Sequence, residues 1–316
     1  MPPGKSWHSM NSIFVVDKPE GFTSFDVVAK MRGILGLRRV GHGGTLDPMA
    51  TGVLPVFAGR ATRVCDIQPD ATKEYVAEVQ LGYRTDTLDR TGRITAQSDK
   101  KVTAGQFEAA LRNYLGEIRQ MPPMYSAVQV GGKRLYELAR QGKQVERPAR
   151  RVTIFALELL SCDEAAGRYT VRVRCSAGTY VRTLFDDLGE TLGTYGTLTA
   201  LRRTAAGVFR EGDCFTLAQL QQLKEQGRLS EAAQPVDRVF LSLPALRLNE
   251  RDAARFLNGA QVRLNAEDGP VRVYGADGLF LGTGKKDPST GLLRVDKVLC
   301  ERGTDAREKT DGTDSL

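Results

Sequence analysis

Fifteen residues, Gly41 to Pro55, constrain this chain more than any other stretch. The run GHGGTLDPMATGVLP holds four glycines, two prolines, one histidine and one aspartate. It lies between a helix-like segment and a strand-like one. Glycine reaches backbone conformations and close approaches that other residues cannot. Pro48 fixes its own φ and biases Asp47 away from the helical region. A lone carboxylate therefore stands on a stiff, bare loop. Ordering such a loop is costly unless it positions something, so Asp47 is a candidate for chemistry. The bland alternative is an ordinary Asp-Pro turn.

Composition narrows the class of chemistry. The 316 residues suffice for one large domain and a small one, and 41% hydrophobic residues support a real core. No apolar stretch is long enough to span a bilayer. The first dozen residues lack the apolar run of a signal peptide, so a cytoplasmic chain is expected. Five scattered cysteines, none at metal-ligand spacing, read as reduced thiols. Only two histidines are present, His8 and His42, which leaves little room for a His-rich metal site or a Ser-His-Asp triad. Acid–base work must fall mainly on carboxylates, Tyr or Lys. The net charge of +7 and pI near 9.2 suggest a polyanionic partner. The excess is concentrated: between Lys133 and Arg151, seven basic residues face two acids, Glu137 and Glu146. A charge run is often only a solvated face, but one this dense points to phosphates.

The hydrophobic periodicity predicts a mixed α/β (α+β) protein. Ser12–Val16 reads as a buried strand. Thr23 or Ser24 caps a helix with Phe25, Val28, Met31 and Leu35 at helical spacing. Val53–Ala58, the alternating Glu74–Leu81, Val152–Ser161 and Arg168–Ser176 read as strands. Thr103 with Gln106 forms a capping box before a helix reaching about Leu115, and Thr216 with Gln219 caps another. Thr179–Leu192 is an amphipathic helix. Strands and helices do not alternate in a βαβ rhythm, and no dinucleotide or phosphate-loop fingerprint is present. The glycine pairs Gly193–Gly196 and Gly282–Gly284 read as turns. A seam near Leu241–Pro244 precedes a small, mostly β module with a hairpin signal at Asp277-Gly278. The expected division is a catalytic domain over 1–242 with a basic insertion at about 124–151, a β module over 243–302, and a disordered tail over 303–316.

The loop GGTLDPMATG resembles the catalytic motif of the bacterial TruB family of tRNA pseudouridine synthases. Five further segments match that family in order: VVDKPEGFTS (15–24), KEYVAEVQLGYRTDTLDRTG (73–92), PPMYSAVQVGGKRLYELARQG (122–142), RVRCSAGTYVRTLFDDLG (172–189) and LTALRRTAAGVF (198–209). The resemblance implies a catalytic domain with a central, mostly antiparallel sheet and a C-terminal PUA-like β module. By the same resemblance Asp47 is the catalytic aspartate. His42 contacts the substrate loop, Tyr75 stacks on the target uracil, and Tyr180 lines the uridine site. Arg182 pairs with the aspartate, Leu201 closes the pocket, and Lys18 supports the active-site loop. Arg134 and Arg140 are candidates for phosphate contact. One departure stands out: the family usually has Lys where this chain has Gln129.

The implied reaction isomerises a T-loop uridine of tRNA, position 55 by tRNA convention, to pseudouridine. It breaks an N–C glycosidic bond, turns the base and rejoins it through carbon, with no redox step, cofactor or metal. It needs an ionised carboxylate, whose attack at ribose C1′ or at uracil C6 the sequence leaves open. The base must leave its stack, and an aromatic face then holds it. Tyr75 suits that task, but an ordinary phenol pKa near 10 makes it a poor base unless shifted. Each residue has a structural rival: a core tyrosine for Tyr75, a surface histidine for His42, a solvated arginine for Arg182, a core leucine for Leu201. The expected partner is the tRNA T arm, with no membrane, no guide RNA, and a monomer by default. A chaperone that opens the T arm independently of catalysis is the alternative.

Overall fold

The computed structural model describes residues 11–126, 128–143, 145–263 and 268–300. The tail expected over 303–316 lies outside the described residues. From the N-terminus the chain forms β1 (Ser12–Lys18), α1 (Ser24–Leu35), β2 (Val40–His42), β3 (Thr51–Ala58), β4 (Lys73–Leu81), β5 (Tyr83–Thr85), β6 (Ile94–Gln97) and α2 (Ala104–Arg112). It continues through β7 (Gly116–Gln120), β8 (Gln129–Val130), β9 (Lys133–Arg134), α3 (Leu135–Arg140), β10 (Arg150–Asp163), β11 (Arg168–Cys175), α4 (Val181–Thr191), β12 (Gly196–Ala206), β13 (Phe209–Arg210) and α5 (Leu217–Glu225). The C-terminal part is β14 (Ala245–Arg247), α6 (Glu250–Leu257), β15 (Val262–Arg263), β16 (Gly269–Tyr274), β17 (Phe280–Asp287) and β18 (Leu292–Val298).

The main sheet runs β1-β3-β12-β4-β11-β10-β7, with β2 beside β3 and β13 beside β12. Its pairings are antiparallel except β12–β3, where Arg202 and Arg203 lie opposite Thr51 and Gly52. That parallel contact brings β12 against the start of β3, immediately after the catalytic-loop candidate. Gly52 is required there: its φ is +99°, and a Cβ would sit 2.3 Å from the Arg203 carbonyl oxygen.

Alternation along β4 puts Tyr75, Ala77, Val79 and Leu81 on one face of the sheet. They pack with Tyr169, Val171 and Val173 of β11 and with Phe107 of α2 and Leu184, Phe185 and Leu188 of α4. Phe107 stacks on Tyr169 at 4.1 Å between ring centroids. Helices α1 and α5 cover β1 and β3 in a second core built on Phe14, Val16, Met31, Leu54 and Leu220. Capping boxes at Thr23–Asp26, Thr103–Gln106 and Thr216–Gln219 start three of these helices.

Three expectations change. Helix α2 ends at Arg112 rather than near Leu115. Phe25, expected on the buried stripe of α1, is 63% exposed, and Val27, Val28, Met31, Ile34 and Leu35 fill that stripe instead. Phe25 sits in the first turn, where a helical side chain leans back past the N-terminus, and the Arg32 guanidinium lies 5.6 Å over its ring. Gly282 and Gly284 are not a turn but lie inside β17, where a Cβ on Gly282 would meet the Lys297 carbonyl oxygen at 1.9 Å. They let β17 and β18 close on each other.

The C-terminal sheet, β14-β16-β17-β18-β15, has its own core of Leu248, Phe256, Val262, Val273, Leu281 and Leu293. Hydrogen bonds tie it to the rest: Arg60 Nη1 donates to the Cys300 carbonyl (2.7 Å), and the Tyr274 hydroxyl to Asp237 Oδ2 (2.7 Å). No helix among the described residues is long and apolar enough to cross a membrane.

Candidate active site

The loop from His42 to Thr51 leaves β2 and enters β3, and three neighbours hold it from behind. Lys18, the last residue of β1, is fully buried. Its Nζ donates to the carbonyls of Ala50 (2.6 Å), Pro19 (2.9 Å) and Pro48 (3.3 Å). Burial pulls this ammonium down to about 8. Ser24, at the start of α1, accepts from the Leu46 amide (2.9 Å). Arg203 of β12, 1% exposed, donates from Nε to the Val53 carbonyl (2.7 Å) and from Nη2 to the Gly44 carbonyl (3.2 Å). A turn closed by the Ala50 amide on the Asp47 carbonyl (3.0 Å) then lifts Asp47 from the loop.

Arg182, in the first turn of α4, meets Asp47 head-on. Its Nε lies 2.9 Å from Asp47 Oδ2 and its Nη2 3.1 Å from Oδ1, a two-pronged fork. The remaining donors are also used. Nη1 reaches the Thr87 carbonyl (2.8 Å) and Asp89 Oδ2 (3.3 Å), and Nη2 reaches the Tyr125 carbonyl (2.9 Å). Arg182 is 3% exposed, so it is not the solvated arginine its helix position allowed. The Asp47 side chain keeps 32% of its surface open, so its carboxylate is the group a substrate can reach. Burial pushes the Asp47 carboxyl above its ordinary value, with the Arg182 charge pulling the other way.

Tyr75 of β4 is 7% exposed and lies opposite Arg203 in the sheet register. It shares an apolar cluster with Leu46 and Met49 of the loop and with Leu201 of β12. Burial pushes the Tyr75 phenol further above its usual range, so it is a neutral, flat ring and not a base at neutral pH. Leu201 also lines a cleft of about 300 Å³ beside the loop, with Glu20, Met49, Thr51 and Arg90. Asp47, Tyr75 and Arg182 lie outside that cleft's lining. Tyr180 caps α4 half-buried, its amide donating to Gln120 Oε1 (3.0 Å). His42 stands at the loop's entrance, half-buried, and its buried Nδ1 has no hydrogen-bond partner among the described residues. Burial and the nearby Arg203 charge lower its pKa, which keeps the imidazole neutral.

The structure thus gathers Asp47, Arg182, Tyr75, Leu201 and Lys18 around one loop. His42 and Tyr180 lie at its margins. Arg134 and Arg140 lie apart, in the basic insertion: Arg134 is in β9 and Arg140 ends α3. The register places Gln129 directly opposite Arg134. Two residues were not singled out from the sequence. Asp89, 4% exposed, is the second carboxylate on Arg182. Its signal was present in TDTLDRTG: threonines two residues to either side, Thr87 and Thr91, both donate to Asp89 Oδ1. Arg203 was the other, and alternation along β12 turns it inward beside an outward Arg202.

Comparison with known proteins shows the family of the chain. The family model for the TruB family pseudouridylate synthase (N terminal domain) matches residues 32–181. The tRNA pseudouridylate synthase B C-terminal domain matches 182–241, and the C-terminal model of pseudouridine synthase II TruB matches 244–296. The tRNA pseudouridine synthase B of Geobacillus thermodenitrificans is 45% identical over 300 residues, spanning 92% of this chain and 99% of that protein. Its namesake in Dechloromonas aromatica is 42% identical over 94% of this chain and 98% of its own length. Among solved structures, a chain of a Cbf5-Nop10-Gar1 complex superposes with a TM-score of 0.72 at 29% identity, over 92% of this chain and 86% of that one. A chain of an H/ACA RNP bound to a substrate RNA containing 2'-deoxyuridine gives 0.71 at 27%, over 93% and 87%. The chain belongs to the TruB family of pseudouridylate synthases.

Proposed function

We propose that this enzyme isomerises the uridine at position 55 of the tRNA T loop to pseudouridine, with Asp47 as the reacting carboxylate. The fork between Arg182 and Asp47 carries the proposal. It aims one partly open carboxylate out of a loop that is otherwise pinned by buried donors. The N1–C1′ bond breaks, the freed base turns, and a C5–C1′ bond forms. C5 loses its proton and N1 gains one, so atoms and charge balance.

Each side chain has a task in that sequence. The uridine leaves its stack to reach the loop. The Tyr75 ring holds the uracil face while the base turns. Leu201 and Met49 wall the pocket and exclude water, so the cleaved base is not lost. Arg182 keeps Asp47 ionised against the effect of burial. Lys18 holds the loop's geometry through carbonyls rather than by touching substrate. His42 contacts the substrate loop, and Tyr180 lines the uridine site. The basic insertion, with Arg134 and Arg140, grips T-arm phosphates without a guide RNA. We assign the catalytic domain to 1–242 and a PUA-like RNA-binding module to 243–302, working as a monomer in the cytoplasm.

The test uses a T-arm stem-loop with uridine tritiated at C5, so that turnover releases tritium. Asp47→Asn is expected to release none while binding the stem-loop with wild-type affinity. Full turnover by that variant overturns the assignment. The same variant separates catalysis from chaperoning: refolding of tRNA unchanged by Asp47→Asn speaks for an independent unfolding role.

A further inference from the structure

Arg182 is held by two acceptors that flank a single residue, Leu88. The Thr87 carbonyl and the Asp89 carboxylate both meet the same nitrogen, Nη1, at 2.8 and 3.3 Å. Leu88 has φ +63°, and among the described residues it is the one non-glycine with positive φ. That left-handed conformation is disfavoured for any residue with a Cβ, and it persists only where the surroundings impose it.

The surroundings here do impose it. The Leu88 amide donates to the Thr85 carbonyl (3.2 Å), closing a tight turn. The Leu88 carbonyl accepts from the Leu198 amide (3.2 Å), and the Arg90 amide donates to the Leu198 carbonyl (3.0 Å). The loop is thereby latched to β12 three residues before Leu201. Asp89 Oδ1 is saturated by Thr87 Oγ1 (2.8 Å), the Thr91 amide (2.9 Å) and Thr91 Oγ1 (2.6 Å), which leaves Oδ2 free to face Arg182. A right-handed or extended residue at 88 sends the chain in another direction and separates the two acceptors.

We propose that Leu88 is a positioning residue: its left-handed backbone turns Thr87 and Asp89 together onto Arg182 and so sets the direction of the fork on Asp47. This rests on the catalytic role proposed above for Asp47. The strained position is backbone-driven, so the side chain at 88 matters through the φ it tolerates and not through what it touches.

That distinction gives an unusual ranking to test. Full-length Leu88→Gly, Leu88→Asn, Leu88→Ala and Leu88→Val are compared by single-turnover tritium release from the T-arm stem-loop. Packing alone predicts that glycine, which deletes the whole side chain, is the slowest. The proposal predicts the reverse order: glycine fastest, then asparagine, alanine and β-branched valine, with valine about tenfold below glycine. RNA affinity stays at the wild-type value across the series. The acid limb of the rate profile moves to higher pH in the same order, furthest in Leu88→Val, because a displaced Arg182 opposes the burial of Asp47 less. Asp89 and Lys18, the other charges that act on Asp47, keep their identities in every variant. Glycine as slow as valine overturns the proposal, as do four variants at the wild-type rate. If the valine variant does not fold, the glycine–alanine pair decides: alanine below glycine supports it, and alanine at or above glycine overturns it. A wild-type enzyme that releases no tritium fails the functional reading instead.

Discussion

Asp47→Asn and Arg182→Ala remove the two halves of one ion pair, and the structure predicts opposite effects on stability. Arg182 is 3% exposed and Asp89 4%, so Arg182→Ala strands a buried carboxylate and leaves the Thr87 and Tyr125 carbonyls without their donor. Removing one partner of a buried pair costs about 3–5 kcal/mol. At roughly 2–4 °C per kcal/mol for a large domain, the melting midpoint falls by about 10 °C. Asp47→Asn differs because burial raises the Asp47 pKa. A carboxyl whose folded pKa lies above its unfolded one keeps its proton longer in the folded state. Its contribution to stability is fullest below about pH 4 and is lost as pH rises through the folded value. An ionised Asp47 is therefore less stabilising than a protonated one, and Arg182 keeps Asp89 and both carbonyls without it. Asp47→Asn should melt at or above the wild-type temperature while turnover vanishes. Calorimetry at pH 7 beside the tritium assay checks both. An Asp47→Asn protein that melts as low as Arg182→Ala refutes the claim that Arg182 is the structural half and Asp47 the functional one.

Two more outcomes follow from the same contacts. Lys18→Met keeps the stem's volume but leaves the Ala50 and Pro19 carbonyls without their donor, at about 1–3 kcal/mol for each acceptor that water cannot reach, while the Pro48 carbonyl keeps the Gly21 amide (2.9 Å). Its kcat should fall with RNA affinity unchanged, measured by tritium release and filter binding, and equal kcat refutes the propping role. The rate should also fall as pH drops through the Asp47 pKa, which lies above the ordinary carboxylate value, and Arg182→Lys should move that limb higher still because one ammonium cannot reproduce the fork. A pH–kcat profile with its limb at or below the ordinary value contradicts this.

Local signals in the chain announced local structure well. The alternation in β4, the caps at Thr103–Gln106 and Thr216–Gln219 and the glycine loop each depend on neighbours within a few residues, and each is legible; at α1 the sequence leaves the cap open between Thr23 and Ser24, and the box with Asp26 emerges only in the structure. What stayed hidden depends on distance along the chain. Arg182 meets Asp89 across 93 positions and Asp47 across 135, so nothing local distinguishes it from a solvated arginine. Alternation along β12 turns Arg203 inward, but the Val53 and Gly44 carbonyls it holds lie 150 and 159 positions away, which periodicity does not report. The family resemblance supplied Arg182 but not Asp89, whose flanking threonines look like turn residues until the pairing is seen. Phe25 and Gly282 depart from their local patterns for a related reason. A stripe of apolar residues and a pair of glycines each have two structural uses, and packing against other segments chooses between them.

The arrangement explains why the loop tolerates so many glycines. A bare loop would be mobile, yet Lys18 from β1, Arg203 from β12 and Arg182 from α4 converge on it from three elements. Lys18 and Arg203 hold carbonyls of the loop, and Arg182 holds the Asp47 carboxylate while anchored on Asp89 and on carbonyls outside the loop, so the loop's backbone is ordered before substrate arrives. Donors fixed in advance need no reorganisation when charge develops. The glycines can then serve their other purpose, leaving room for an RNA backbone. The rigidity such a loop lacks in its own sequence comes from buried cations on its neighbours, and mutations at Lys18 or Arg203 should therefore resemble mutations in the loop itself.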